Sequence, residues 1–219
     1  MKSLRMALLV AVTALGVTAF SATAAHAQEW AIEGEELSTL GGSAGITSED
    51  TENFKLAGEV LNQKITIECT TQTATGEILE GGLDKATVQF TGCKVLNLGA
   101  CVVKEPIVTN AKTRLIKIGS TFYDVFEPES GSTFVTITIE KCALAGSYEV
   151  KGATCGEGEE EGVELVEQPL RFSEAVAKAC DAADPASIAL TLGGKPATLT
   201  GAAVNELTAP HAGKVFGAI

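Results

Sequence analysis

Past residue 27 the chain has no methionine, because Met1 and Met6 are its whole complement, and it keeps one tryptophan, two tyrosines and a single histidine, His211. Each shortage excludes a class of chemistry. One imidazole cannot form a His-pair zinc site, nor a triad whose base is steered by a second imidazole. With Trp30, Tyr123 and Tyr148 as the whole Trp and Tyr content, the aromatic platforms typical of sugar grooves are missing, and Trp30 is expected to be a core or edge plug. The six cysteines are never closer than eight residues, so neither zinc knuckles of the Cys-x₂₋₄-Cys type nor a Cys-x-x-Cys redox pair can be read. Positive charge is scarce as well. The 16 Lys and Arg face 28 Asp and Glu for a net −12, and the first 27 residues hold two of the basic residues and none of the acids, which leaves the remainder at −14. Such a surface repels phosphate backbones and anionic lipid, which argues against nucleic-acid and membrane-surface partners and favours solubility.

What the chain does have begins with Lys2 and Arg5, an apolar run from Met6 to Phe20, and small residues ending in Ala25-His26-Ala27. This is the pattern of a cleaved secretory signal over residues 1–27, too short for a bilayer span. The mature chain is expected to start at Gln28, to be secreted to the extracellular space or cell surface, and to keep no membrane span after cleavage. An even number of cysteines in an exported chain reads as three disulfides.

The mature part alternates with period two. "KITIECTT" puts Ile65, Ile67 and Cys69 on one face, "DKATVQFTGC" puts Val88 and Phe90 inward, and "TFVTITIEKC" does so with Val135, Ile137 and Ile139. Glycine-containing turn signals recur at Gly41-Gly42, Gly81-Gly82, Gly119-Ser120, Gly131-Ser132, Gly146-Ser147 and Gly193-Gly194. The expectation is a single all-β domain over residues 28–219, an antiparallel sandwich or barrel of about ten strands supported by disulfides. At most one short helix fits: "SEAVAKACDAAD", capped by Ser173 and stopped by Pro185, reads equally as helix or as long loop. The acidic loop "GEGEEEG" at 156–162 reads as a solvated turn, since a calcium loop would need alternating Asp ligands.

"EWAIEGEEL", "ITIECTTQTATGEI", "ATVQFTGCKV", "GSTFVTITIEKCALAGSYEVKG", "LTLGGKPATLTG" and "GKVFGAI" together resemble an uncharacterised family of exported actinobacterial proteins, over nearly the whole mature chain. The resemblance implies export and brings no activity with it. The cysteine-to-Phe-Thr-Gly-Cys rhythm is also similar to that of the secreted, PraB-like alkane-oxidation activator proteins, without carrying over a role.

Candidate chemistry is thin. Gly41-Gly42-Ser43-Ala44-Gly45 fits the G-x-S-x-G nucleophile elbow, and His211 follows in the right order, but an elbow needs a strand before it and a helix after it, and no helical pattern follows Gly45. His211, in "TAPHAGK", reads as an exposed turn histidine. Paired carboxylates facing across a groove remain open, given the many acids. For the cysteines, short-range pairing gives Cys93 with Cys101, Cys142 with Cys155, and by remainder Cys69 with Cys180. The rival is a hairpin turning at Gly81-Gly82 that sets Cys69 opposite Cys93, although parity puts Cys93 on the wrong face unless Gly92 forms a bulge. No catalytic, metal or cofactor-binding residue is assigned. The function expected is that of a non-enzymatic structural, cell-surface or binding protein of unknown ligand, self-associating or set in the cell envelope. The alternatives are an extracellular hydrolase using carboxylates or Ser43, and a lipocalin-like barrel holding an apolar ligand.

Overall fold

The structure, a computed structural model, describes residues 28–96, 98–183 and 189–219. The expected signal segment 1–27 and the expected helix stop Pro185 lie outside them. Two short strands, β1 (Trp30–Ile32) and β2 (Glu35–Glu36), and a 3₁₀ turn over Leu37–Leu40 lead into three long ones, β3 (Ser43–Val60), β4 (Gln63–Leu79) and β5 (Leu83–Val95). There follow β6 (Val102–Val103), β7 (Ile107–Ile118), β8 (Thr121–Pro128), β9 (Thr133–Glu140), β10 (Gly146–Lys151), β11 (Thr154–Glu160) and β12 (Glu167–Phe172). The helix α1 (Glu174–Ala183) precedes β13 (Thr191–Leu192), β14 (Lys195–Pro196), β15 (Thr198–Leu207) and β16 (Phe216–Ala218).

Of the two all-β options the chain takes the barrel. Eight antiparallel strands close in the order β5-β4-β3-β15-β12-β11-β8-β7 and back to β5, which leaves the barrel without a free edge. β5 serves two partners in turn: Leu83 to Phe90 pair with β7, whereas Lys94 pairs with β6. From β6 a side sheet runs through β9, β10 and β13 to β14, and packs Ile137, Ile139, Val150 and Leu192 on the far halves of β3 and β4 at Leu56, Val60, Ile65 and Ile67. At the opposite end β1 pairs with β16 and β2 to form a small plug, where Trp30, Ile32 and Phe216 pack on Ile78, Leu115, Phe122 and Leu207.

The disulfides are Cys69–Cys93, Cys101–Cys142 and Cys155–Cys180. All six cysteines are paired, but the short-range scheme is corrected in every bond, and the hairpin rival for Cys69 and Cys93 is the arrangement found. The parity problem resolves without a bulge. Cys69 pairs with Cys93 and Thr71 with Thr91, so the register count never changes. Instead both strands turn their pleat over at one place: Gly92 has φ +65, and the inward set passes from Ile67 and Cys69 to Gln72 and Ala74 on β4. A Cβ at Gly92 would stand 2.1 Å from Thr70 Oγ1, so glycine is required there. The Gly92 N–H, which does not face a strand at this handover, donates to Glu105 Oε2 at 3.1 Å, and the Cys93 N–H donates to the other oxygen of the same carboxylate.

Two local expectations need correcting. The acidic segment 156–162 is not a solvated turn, because Gly156 to Glu160 lie in β11 and only Glu161-Gly162 turn. The Gly-Glu-Gly-Glu order is itself period two, and Gly156 lies so close to the β12 side chains that a Cβ would come within 2.6 Å of Leu170 Cδ1. Gly146-Ser147 is not a turn either; both residues pair with β9. The β3–β4 hairpin turns instead on Leu61-Asn62, both left-handed at φ 48 and 63, as a two-residue type I′ loop requires. Segment 174–183 is helical. The Ser173 hydroxyl accepts the Val176 N–H at 3.1 Å, and Val176 and Cys180, one turn apart, pack on Tyr123 and Val125 outside the barrel.

Candidate functional site

The barrel interior is layered, and the layers follow from residue size on alternate positions. Nearest the plug, inward positions carry polar side chains: Ser48 on β3, Asp84 on β5, Thr113 on β7, Asp124 on β8 and Asn205 on β15. Each lies beside a plug-facing apolar residue. Thr113 is two residues from Leu115, Asp124 two from Phe122, Asn205 two from Leu207, and Asp84 is the direct cross-strand partner of Ile78. One step further from the plug come small residues, Ala74, Gly76, Ala86, Ala111 and Ala203. Beyond them Phe54, Phe90, Phe126 and Phe172 meet in tilted and edge contacts with centroids 5.4–5.7 Å apart. An eight-stranded barrel is just wide enough for side chains to fill or for one small ligand to enter. The belt of small residues decides between the two, and a cavity of about 170 Å³ runs along the axis.

Asp84 and Asp124 are the chemical feature of this cavity. They are 8% and 6% exposed. Asp84 Oδ2 accepts the Thr113 hydroxyl at 2.6 Å. Asp84 Oδ1 and Asp124 Oδ1 are enclosed without a hydrogen-bond partner. Burial pushes the Asp84 carboxyl up to about 7; the Thr113 hydroxyl offsets part of this, and so does the indole N–H of Trp30, which lies beside Asp84 without completing a hydrogen bond. Asp124 is raised well above the ordinary Asp range, first by burial and then by the charge of Asp84. Two acids so placed cannot both ionise readily, because each carboxylate raises the cost of charging the other.

Residues singled out in the sequence fall elsewhere. Ser43 is exposed at the head of β3, with a 3₁₀ turn before it and an 18-residue strand after it, the reverse of the strand-then-helix order of a nucleophile elbow. His211 is half-buried rather than exposed; its N–H donates to the Thr208 carbonyl and its Nδ1 is enclosed without a partner. Trp30 is a plug residue, 7% exposed, as expected. Tyr123 lies outside the barrel under α1, where burial and then the charge of Glu157 raise its pKa. On the outer wall Glu68 sits between Lys55 at 3.4 Å and Lys94 at 3.0 Å, and Lys94 holds its carboxyl below the usual range.

Asp84 and Asp124 escaped the sequence reading, yet each carried a signal. Asp84 shares its parity with Ala86, Val88 and Phe90, and Asp124 stands between Phe122 and Phe126 at spacing two. An acid on the apolar parity of a strand is an acid aimed at the core. Comparison of the chain with protein-family models, with curated proteins and with solved structures returns no match.

Proposed function

We propose that the chain is an exported, non-enzymatic binding protein whose barrel holds one small, largely apolar molecule. The observation that carries this reading is the cavity of about 170 Å³, walled by Ala74, Gly76, Ala86, Ala111 and Ala203 within a closed eight-stranded barrel. An apolar cavity of about 150 Å³ accepts a benzene ring, so a single ring or a short chain matches the space. Three disulfides and the absence, among the described residues, of a helix long and apolar enough to cross a membrane agree with an extracellular setting. Self-association through strand edges has less support. The side sheet ends in the two-residue β14, Lys195-Pro196, and the plug ends in Glu35-Glu36; lysine, proline and paired acids are the residues that discourage edge pairing.

A carboxylate-based hydrolase is the second reading, favoured by the Asp84 and Asp124 pair. The mostly apolar walls above that pair suit an apolar guest better than a polar scissile bond with its attacking water. Thermal unfolding with and without toluene, beside the same measurement on Ala111→Leu, tests the binding reading. Toluene should raise the unfolding temperature of the wild type in a dose-dependent manner and leave Ala111→Leu, with its cavity filled, unmoved. Equal responses of the two proteins, or none in either, would remove the barrel interior as the binding site.

A further inference from the structure

Resting on the reading of the barrel as a ligand carrier, we propose that the cavity floor selects a protonated amine, so that the ligand class is a small apolar ammonium compound with its nitrogen between Asp84 and Asp124.

The geometry of open valences carries the argument. Three polar side-chain atoms facing the cavity are enclosed and without partners: Asp84 Oδ1, Asp124 Oδ1 and, higher on the wall, Gln72 Oε1. All three are oxygens. The hydroxyl of Thr113 is already committed to Asp84 Oδ2. The one enclosed donor beside them, the Trp30 indole N–H, already acts on Asp84, so the open acceptors ask for a guest that donates, and an ammonium group donates up to three hydrogen bonds where an alcohol donates one. A carboxylate or phosphate guest would add further negative charge to a floor that already resists ionising both of its acids.

Charge leads to the same class. Thr113, Trp30 and the carboxyls themselves act on the two acids. A cation seated between the two carboxyls favours ionisation of the pair, and one monovalent cation neutralises the first negative charge that forms there. Unpaired buried charge is costly and the charge-assisted hydrogen bond is among the strongest available, so the cation is favoured over a neutral guest of the same shape. Above the floor, Ala86, Ala111 and Ala203 leave room for the hydrocarbon part, and Phe54, Phe90, Phe126 and Phe172 line the cavity further on. Selection thus rests on a head that must donate and a body that must be small and apolar.

The test compares guests of one shape. Calorimetric titration of the oxidised mature protein at pH 7 in 0.3 M salt would use benzylamine, benzyl alcohol and toluene, with Trp30 emission as a second readout. Benzylamine is expected to bind at least tenfold more tightly than benzyl alcohol. In the Asp84→Asn/Asp124→Asn double variant that preference should shrink to less than twofold while toluene binding persists. Ala111→Leu keeps every surface charge and should lose all three guests, which separates the floor from general attraction of cations to an acidic surface. Equal affinity of amine and alcohol for the wild type, with toluene still bound, overturns the amine assignment and leaves the carrier reading standing. Binding of none of the three overturns both. The wild-type ratio of amine to alcohol decides the matter even if the double variant fails to fold.

Discussion

Replacing Asp84 by asparagine should make the protein more stable at neutral and alkaline pH, and the size of the gain follows from the burial of that carboxyl. In the unfolded chain an Asp titrates near 3.8, and in the barrel Asp84 titrates at about 7. The folded protein therefore holds a proton that the unfolded chain has released throughout the window between those values, and stability is complete below about pH 4 and falls as pH rises towards 7. A displacement of this size corresponds to about 4 kcal/mol, on the order of 10 °C in unfolding temperature for a domain of this length. Thr113 on β7, Trp30 on β1 and Asp124 on β8 act on the group, and none of them supplies a compensating cation. Asparagine keeps the shape and cannot ionise. Thermal unfolding followed by far-UV circular dichroism from pH 4 to pH 8, with disulfides intact, should show the wild type losing stability across the range and Asp84→Asn losing much less, with the two curves converging near pH 4. The paired surface acids Glu68 and Glu174, whose pKa values are lowered, act in the opposite sense and only in the more acid range, so they do not mask the slope. Parallel curves for wild type and variant, or a wild type that gains stability from pH 4 to pH 7, would refute the reasoning.

Other perturbations follow from the same packing. Gly76→Ala would set a Cβ 2.2 Å from the Lys85 carbonyl oxygen, a backbone atom of the neighbouring strand; a loss of about 2–3 kcal/mol is expected in denaturant titrations, larger than for Gly81→Ala, where the space is open and only the left-handed φ opposes the change. Leu61 is 66% exposed at φ 48 in the type I′ turn, and Leu61→Asn should stabilise by about 1 kcal/mol, read as a higher denaturation midpoint at unchanged slope. Removing Cys155–Cys180 as the double serine variant opens a 25-residue loop and should cost about 3 kcal/mol, with the α1 amides exchanging faster than those of β3 and β4. Glu105→Ala takes away the acceptor for the Gly92 and Cys93 N–H groups and should cost about 1–3 kcal/mol, with local amide exchange rising at those two residues.

How much of this was legible in the chain depended on whether the cause was local. Alternation in "DKATVQF" and "TFVTITIE" is a local pattern, and the strand class and helix cap at Ser173 came from such patterns. Closure into a barrel is not local. It depends on β7 reaching β5 across Asp84 and Thr113, residues 29 apart, and a sandwich would have shown the same alternation. The cysteine pairing failed for a related reason. Loop length favoured Cys93 with Cys101, but cross-strand register governs, and the pleat reversal at Gly92 that makes Cys93 face Cys69 is a backbone event with no period of its own. The acidic segment failed by composition: glutamates suggested solvent, whereas the glycines between them let β11 run close against β12. The floor acids stood in plain view at inward parity, and their meaning appeared only when three strands placed them in one enclosure.

The plug has a consequence for the order in which the molecule comes together. Trp30 pairs with Ala218, and Glu29 and Ile219 exchange backbone hydrogen bonds, so the lid over the acid floor joins segments almost the full length of the described chain apart. Contacts of such separation carry the largest loop-closure cost and reward it only after the intervening barrel exists. The β3–β4–β5 meander can form from neighbours alone, whereas the chamber seals last. Trp30, the single indole of the chain, therefore reports the sealing step while far-UV signals report the walls, and an interval between the two signals in refolding marks the time during which the floor is open to water.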